Sequence, residues 1–182
     1  MAFFTRLVYG VLAIMIANAV SHAAETDPVA RYYMGESITT MGSTVTRHPY
    51  IVVRTTDERA KTITETVVSY EQSGFKENSS VLTIDGSRFA MTASTGTVTG
   101  SGELTGIPWH WTFLRAEFKV ASSGMRIVDY NFFADHAAVM GHKDFYLKKD
   151  GSDERLLMQE DLDLHVVEKA TFDAKRAELL KQ

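Results

Sequence analysis

Cysteine is absent from this 182-residue chain. That excludes a disulfide framework, a thiol nucleophile and a thiolate metal site together. Basic charge is scarce as well. The chain has 19 Lys and Arg against 23 Asp and Glu, a formal net charge of −4. A nucleic-acid binder shows a basic stripe, and this sequence has none, so no nucleic-acid partner is expected. Catalytic fingerprints are also missing. There is no Gly-x-Ser-x-Gly elbow, phosphate loop, dinucleotide fingerprint or His-Glu-x-x-His. Gly100-Ser101-Gly102 lies in a threonine-rich run without the helix that a phosphate cradle needs, and it reads as a bend. No metal or cofactor is expected from these patterns.

Long apolar runs are lacking except at the start. Met1 to Arg6 is short and positively charged, and Leu7 to Ala17 is apolar apart from Tyr9 and Gly10. Ser21-His22-Ala23 then places small residues at the −3 and −1 positions of a signal-peptidase site. The pattern predicts a signal peptide over residues 1–23, cut after Ala23 with Ala24 as the near alternative. The mature chain would then be periplasmic or secreted, with no membrane span. The rival reading, an uncleaved anchor, requires about 20 apolar residues, and this run is shorter. Removing Arg6 with the leader leaves 18 basic residues against 23 acidic ones.

What the rest of the chain does have is alternation. Gly106 to Val120 carries both tryptophans and reads as one long strand with two faces. His110, Thr112, Leu114, Ala116, Phe118 and Val120 share one face. Trp109, Trp111, Phe113, Arg115, Glu117 and Lys119 share the other. The first face is apolar for most of its length, as in a barrel stave. The second is apolar only at its start, which calls for a cover there.

Around this stretch, turn signals recur every ten to fourteen residues or so. A polar lead-in over 24–31 precedes a threonine-rich strand at Tyr32 to Thr46, bent at Gly42, and then strands at Tyr50 to Thr56 and Lys61 to Glu71. Ser80 to Asp85 and Arg88 to Ser94 form a hairpin about Asp85-Gly86, a pair suited to the positive φ of a tight turn. Thr97 to Leu104, softened by Gly100 and Gly102, follows. After the central stretch come Met125 to Ala134, Ala137 to Lys148 and Glu154 to Val166, with turns at Gln72-Ser73-Gly74, Ser122-Ser123-Gly124, Asp135-His136 and Asp150-Gly151-Ser152. Successive strands on short connections make a meander, and a meander this long protects its edges by closing. The expected fold is all-β: one antiparallel up-and-down β-barrel of eight to ten strands over 32–167. Glu168 to Lys181 changes period, with Phe172, Leu179 and Leu180 on one helical stripe. This helix, at 168–181, is expected on the outside of the barrel, covering Trp109, Trp111 and Phe113.

An exported chain of about 160 residues built as a β-meander with one terminal helix resembles the calycin type of barrel, the group of lipocalins and fatty-acid-binding proteins. Trp109-His110-Trp111, Gly124-Met125-Arg126-Ile127 and the Phe172-Asp173-Ala174-Lys175-Arg176 helix are similar in layout to small exported bacterial barrels of unknown function, over roughly the last 75 residues. The chain departs from lipocalins in having no Gly-x-Trp on its first strand. It departs from fatty-acid-binding proteins in having no pair of lid helices near its start. The resemblance implies the fold and a lumen that binds a small apolar ligand.

If faces follow the apolar runs, the lumen is lined by Leu114, Phe118, Val128, Tyr130, Phe132, Met158 and Leu162, with Glu160 as its one charge. A buried carboxylate must be paired, hydrated or protonated. Glu160 is therefore expected either to meet a ligand's polar end beside Tyr130 or to pair with Arg126; the bland alternative puts it at a bulge facing solvent. His110 is a candidate general base or axial ligand, weighed against a hydrogen-bonded residue at the barrel mouth. Asp129 and Asn131 share the other face of their strand, and His142, Asp144 and Tyr146, which share a face of the next, are candidates to meet that pair across the sheet. Asp161, Asp163 and His165 alternate on the solvent face of the last strand, too far apart at about 7 Å to share an ion. Three functions compete: a small-molecule binder, a cofactor-free lyase or isomerase, and an envelope interaction or structural barrel. A cavity of about 300 Å³ or more with convergent polar groups favours the first two, and a filled lumen favours the third.

Overall fold

The computed structural model describes residues 27–71, 74–134, 136–148 and 153–182. The expected leader and cleavage site lie outside these residues, as do the Asp150-Gly151-Ser152 turn and parts of the turns at Gln72-Ser73 and Asp135. Ten strands follow in order: β1 (Val29–Met41), β2 (Thr44–Asp57), β3 (Thr62–Glu71), β4 (Gly74–Asp85), β5 (Arg88–Ala93), β6 (Val98–Ile107), β7 (His110–Val120), β8 (Met125–Ala134), β9 (Ala138–Leu147) and β10 (Arg155–Val167). Each pairs antiparallel with its neighbour in sequence, and β1 pairs with β10 from Tyr32↔Val167 to Thr40↔Gln159. The sheet is a closed barrel. Closure removes both free edges of the sheet, although Thr44–Tyr50 of β2 and Gly74–Ser79 of β4 run past their β3 and β5 neighbours.

The stretch from Gly106 to Val120 is a hairpin tip and not one stave. Gly106 and Ile107 end β6, Ile107 pairs with His110, and Pro108-Trp109 make the turn between them. Proline sets the first turn residue, and the second must take a positive φ, which Trp109 does at 67°. The register then slips between Thr105 and Gly106: Thr105 faces Phe113 while Gly106 faces Trp111. Thr112 is the extra residue of this bulge, and one extra residue reverses the alternation. Trp111 therefore turns inward with Leu114 and Ala116 and is 8% exposed, in one cluster with Leu82, Phe89 and Leu104. The sequence alternation had placed it outside. A second bulge at Leu157 pairs Leu156 with Tyr146 and Met158 with Phe145, so Leu156 is exposed on the outer surface.

The terminal helix, α1 (Lys169–Leu179), does not cover Trp109, Trp111 and Phe113. It lies on the outer face of β1, β2 and β3. Phe172 and Leu179 pack there on Ile51 and Val68, flanked by Tyr32, Met34, Val53 and Phe75. The reason is connectivity. Helix α1 starts two residues after β10, and β10 is bonded to β1, so the nearest apolar outer surface is that of β1 to β3. The run Tyr50-Ile51-Val52-Val53 carries the signal, being apolar on both faces as in a strand covered on both sides. Eleven residues are too few for a stable isolated helix. Burying Phe172 and Leu179 stabilises the docked form by roughly 1.5–3 kcal/mol each, and Arg176 adds an ion pair to Glu77 on β4.

Candidate binding cavity in the barrel lumen

The strand faces that point inward enclose a cavity of about 200 Å³. Leu82, Met91, Leu114, Phe118, Val139 and Leu162 supply its apolar wall, and Tyr33, Tyr50, Arg54, Glu65, Asp129, Asn131 and Lys143 its polar groups. The lumen is thus more polar than the apolar runs suggest.

Three of these charged residues sit in one row. Asp129 on β8 stands opposite Lys143 on β9, and Lys143 opposite Glu160 on β10. Lys143 Nζ donates to Glu160 Oε2 at 2.7 Å and to the Tyr50 hydroxyl at 3.3 Å. Burial alone would push the lysine down, but the carboxylates of Glu160 and Asp129 and the hydrogen bond to Glu160 offset it and hold its pKa above the ordinary value. Burial likewise pushes Glu160 up, and its bonds to Lys143 and Ser37 outweigh that and hold it low. The pair is therefore ionised. Glu160 does not line the cavity itself; it anchors the lysine that does.

Asp129 has a different setting. It is 8% exposed and accepts 2.9 Å from Asn131 Nδ2. Burial pushes its pKa up to about 6, with Lys143 pulling the other way. Asn131 is seated by Gly141, opposite it on β9: a Cβ at Gly141 would come within 2.6 Å of Asn131 Oδ1. A side chain there would push the amide off Asp129. Tyr50, in the same end of the lumen, is pushed up to about 12 by burial and stays a neutral hydroxyl.

Towards the mouth, Arg54 binds Glu65 on the facing strand through Nε at 2.6 Å, and its guanidinium lies 4.6 Å over the Phe133 ring. Beyond this pair is a chamber of about 30 Å³ between Trp109, Trp111, Arg31 and His136. The indole Nε1 of Trp111 has no hydrogen-bond partner, the one such buried side-chain atom among the described residues. His110 stands exposed at this rim with Nδ1 3.3 Å from His136 Nε2. Trp109 and His136 both hold positive φ here, at 67° and 61°.

Of the residues expected to line the lumen, Leu114, Phe118 and Leu162 do so, and Met158 is half-buried opposite Phe145. Tyr130 and Phe132 do not. They alternate with the inward Asp129 and Asn131 and so face outward; Phe132 is 54% exposed against Phe113, and Tyr130 stacks near His142. Val128 faces outward with them, in register with Glu117 and Asp144. Glu160 pairs with Lys143 and not with Arg126, which lies outside and binds Glu154. The bond from Asp161 leads the raising of the His142 pKa, and Asp144 contacts its other nitrogen. This cluster is on the outer surface and does not meet Asp129 and Asn131. Asp163 and His165 are exposed. Among the described residues no group of three or more His, Asp or Glu is placed to hold a metal ion.

Lys143, Tyr50, Arg54 and Glu65 were missed. Arg54 and Glu65 had a usable signal, since each interrupts the apolar face of a strand that must look inward. Fold and site together define a ten-stranded antiparallel barrel with a partly charged lumen. No protein-family model, curated protein or solved structure matches the chain.

Proposed function

We propose that this protein is an exported carrier or sensor that holds one small, largely apolar molecule in its barrel lumen. The observation that carries the reading is the cavity of about 200 Å³ with apolar walls and charged groups fixed at its surface. A lumen serving only as a scaffold would be filled by side chains. The volume is below the roughly 300 Å³ of drug-sized sites, and a cavity of about 150 Å³ takes benzene. A single-ring or short-chain ligand is the size that fits. Its polar end belongs at Asp129, Asn131 and Lys143, not at Tyr130. The leader-like pattern at Ser21-His22-Ala23 supports export.

The test is mass spectrometry of the natively purified chain beside a Leu114→Trp variant, whose indole would occupy the cavity. A small molecule released from the parent and missing from the folded variant supports the reading. If both come through empty, and neither binds any member of a panel of single-ring compounds, the lumen is not a binding site.

A further inference from the structure

The row of Asp129, Lys143 and Glu160 does not balance. Lys143 is committed to Glu160. Asp129 is the second acid of this row, against one base, and its one side-chain bond is to the neutral amide of Asn131. The other interior charges, Arg54 with Glu65 and Arg31 opposite Arg54, line the mouth chamber. A buried interior is driven towards neutrality because an uncompensated charge in low dielectric is costly. The surplus carboxylate can be offset by a proton or by a cation from outside. It is also held in place, by Asn131 on Gly141, on the wall of a cavity large enough for a ring. Arg54 already lies over the Tyr33 ring and Lys143 over that of Tyr50, but Phe118 lines the same cavity with no such cation over its ring among the described residues, and an aromatic ring attracts an ammonium group.

Resting on the lumen-binding reading above, we infer that the ligand is a small organic amine, bound as its ammonium ion with Asp129 as counter-ion and its apolar body against Leu114, Phe118 and Leu162. The groups facing Asp129 are Lys143 from β9, Glu160 from β10, Tyr50 from β2, Glu65 from β3 and Asn131 on its own strand. Lys143 remains charged but is neutralised by Glu160, so the pair presents no net charge to the incoming cation. The ammonium and the proton compete for one carboxylate. Binding is therefore coupled to proton release from Asp129 and weakens in acid.

The experiment uses three probes of nine heavy atoms each: phenethylamine, 2-phenylethanol and n-propylbenzene. Each is titrated into the full chain by calorimetry between pH 5 and pH 7.5, a range in which the amine stays cationic. At pH 7.5 the amine should bind at least about tenfold more tightly than the alcohol, as a charge-assisted hydrogen bond requires. With the carboxyl titrating at about 6, amine affinity should fall about tenfold from pH 7.5 to pH 5, while alcohol affinity stays level. Protons released per amine bound should approach one at pH 5 and vanish by pH 7.5. In Asp129→Asn the amine should lose both its advantage and its pH dependence. An amine that binds no better than the alcohol in the parent chain, or keeps its preference in Asp129→Asn, overturns the amine inference and leaves the lumen reading standing. Failure of all three probes to bind overturns both.

Discussion

Replacing Lys143 by methionine keeps the aliphatic stem and deletes the charge. In the parent chain Nζ is 2.7 Å from Glu160 and 3.3 Å from the Tyr50 hydroxyl, and Asp129 stands opposite on the next strand. The side chains of Lys143 and Glu160 are only 17% and 14% exposed, so solvent screens the pair little. Removing one partner of a buried pair costs about 3–5 kcal/mol, chiefly because the other charge is left uncompensated. Here two carboxyls lose their common cation, so the upper part of that range is expected. For a chain of this size the loss lowers the melting temperature by roughly 6–20 °C.

The same substitution should be much milder beside Glu160→Gln, because the amide keeps a hydrogen-bonding partner for Ser37 and carries no charge. The double variant should lie within about 2 kcal/mol of the parent. The pH dependence has a definite sign. Without Lys143, Glu160 loses the attraction that holds its folded-state pKa low, and the folded-state pKa of Asp129 rises further above its unfolded value. The added penalty is then full at pH 7.5 and shrinks as the pH falls and both carboxyls take up protons. Urea denaturation followed by circular dichroism, on parent, singles and double at pH 7.5 and 5, reads all of this. A loss below about 1 kcal/mol for Lys143→Met at pH 7.5 would mean that the row is hydrated. A double variant as unstable as the sum of the singles would mean that the two side chains are not coupled.

Asp129→Asn should stabilise the barrel at neutral pH. Its folded pKa of about 6 lies above the ordinary aspartate value of 3.8, so the parent is unpenalised below pH 4 and loses stability as pH rises towards 6. The loss amounts to about 3 kcal/mol. The variant should therefore gain about 2–3 kcal/mol at pH 7.5 and nothing at pH 4; a variant less stable than the parent at pH 7.5 refutes the assignment. Phe172→Ala should cost about 3 kcal/mol or more through lost packing on Ile51 and Val68, yet leave the folded-state tryptophan emission unchanged, because α1 lies on β1 to β3 and Trp111 points into the lumen. A shifted emission maximum in the folded variant would place the helix elsewhere.

The all-β class, the meander and the change of period at the end are local properties, and the residues carry them. A turn needs only its own few residues, as Gly86 and Gly124 show by their positive φ, whereas Gly42, read as a bend within one strand, is the turn between β1 and β2. A strand needs only alternation over its own length, and the spans read for β8 and β9 agree with the structure to within a residue. Which face looks inward is a different kind of fact. It turns on a single residue of register, and one slip exchanges every side chain between core and solvent. In β8 the run Val128, Tyr130 and Phe132 is more apolar than Asp129 and Asn131, so apolarity alone chose the wrong face.

The polar face won because Lys143 and Gly141 stand opposite Asp129 and Asn131 and accommodate them inside. No local pattern contains that information, since the partners come from distant strands: Lys143 and Tyr50 are separated by 93 positions, and the Tyr33 hydroxyl reaches the carbonyl of His136 across 103. The bulge at Thr112 and the docking of α1 are of the same kind. Local residues made the strand and the helix, but barrel closure of β1 on β10 decided where each apolar surface would find its partner. The chain thus specified its elements one by one, and only the closed sheet, by bringing remote faces together around a fixed volume, decided which charges were buried and what the cavity can hold.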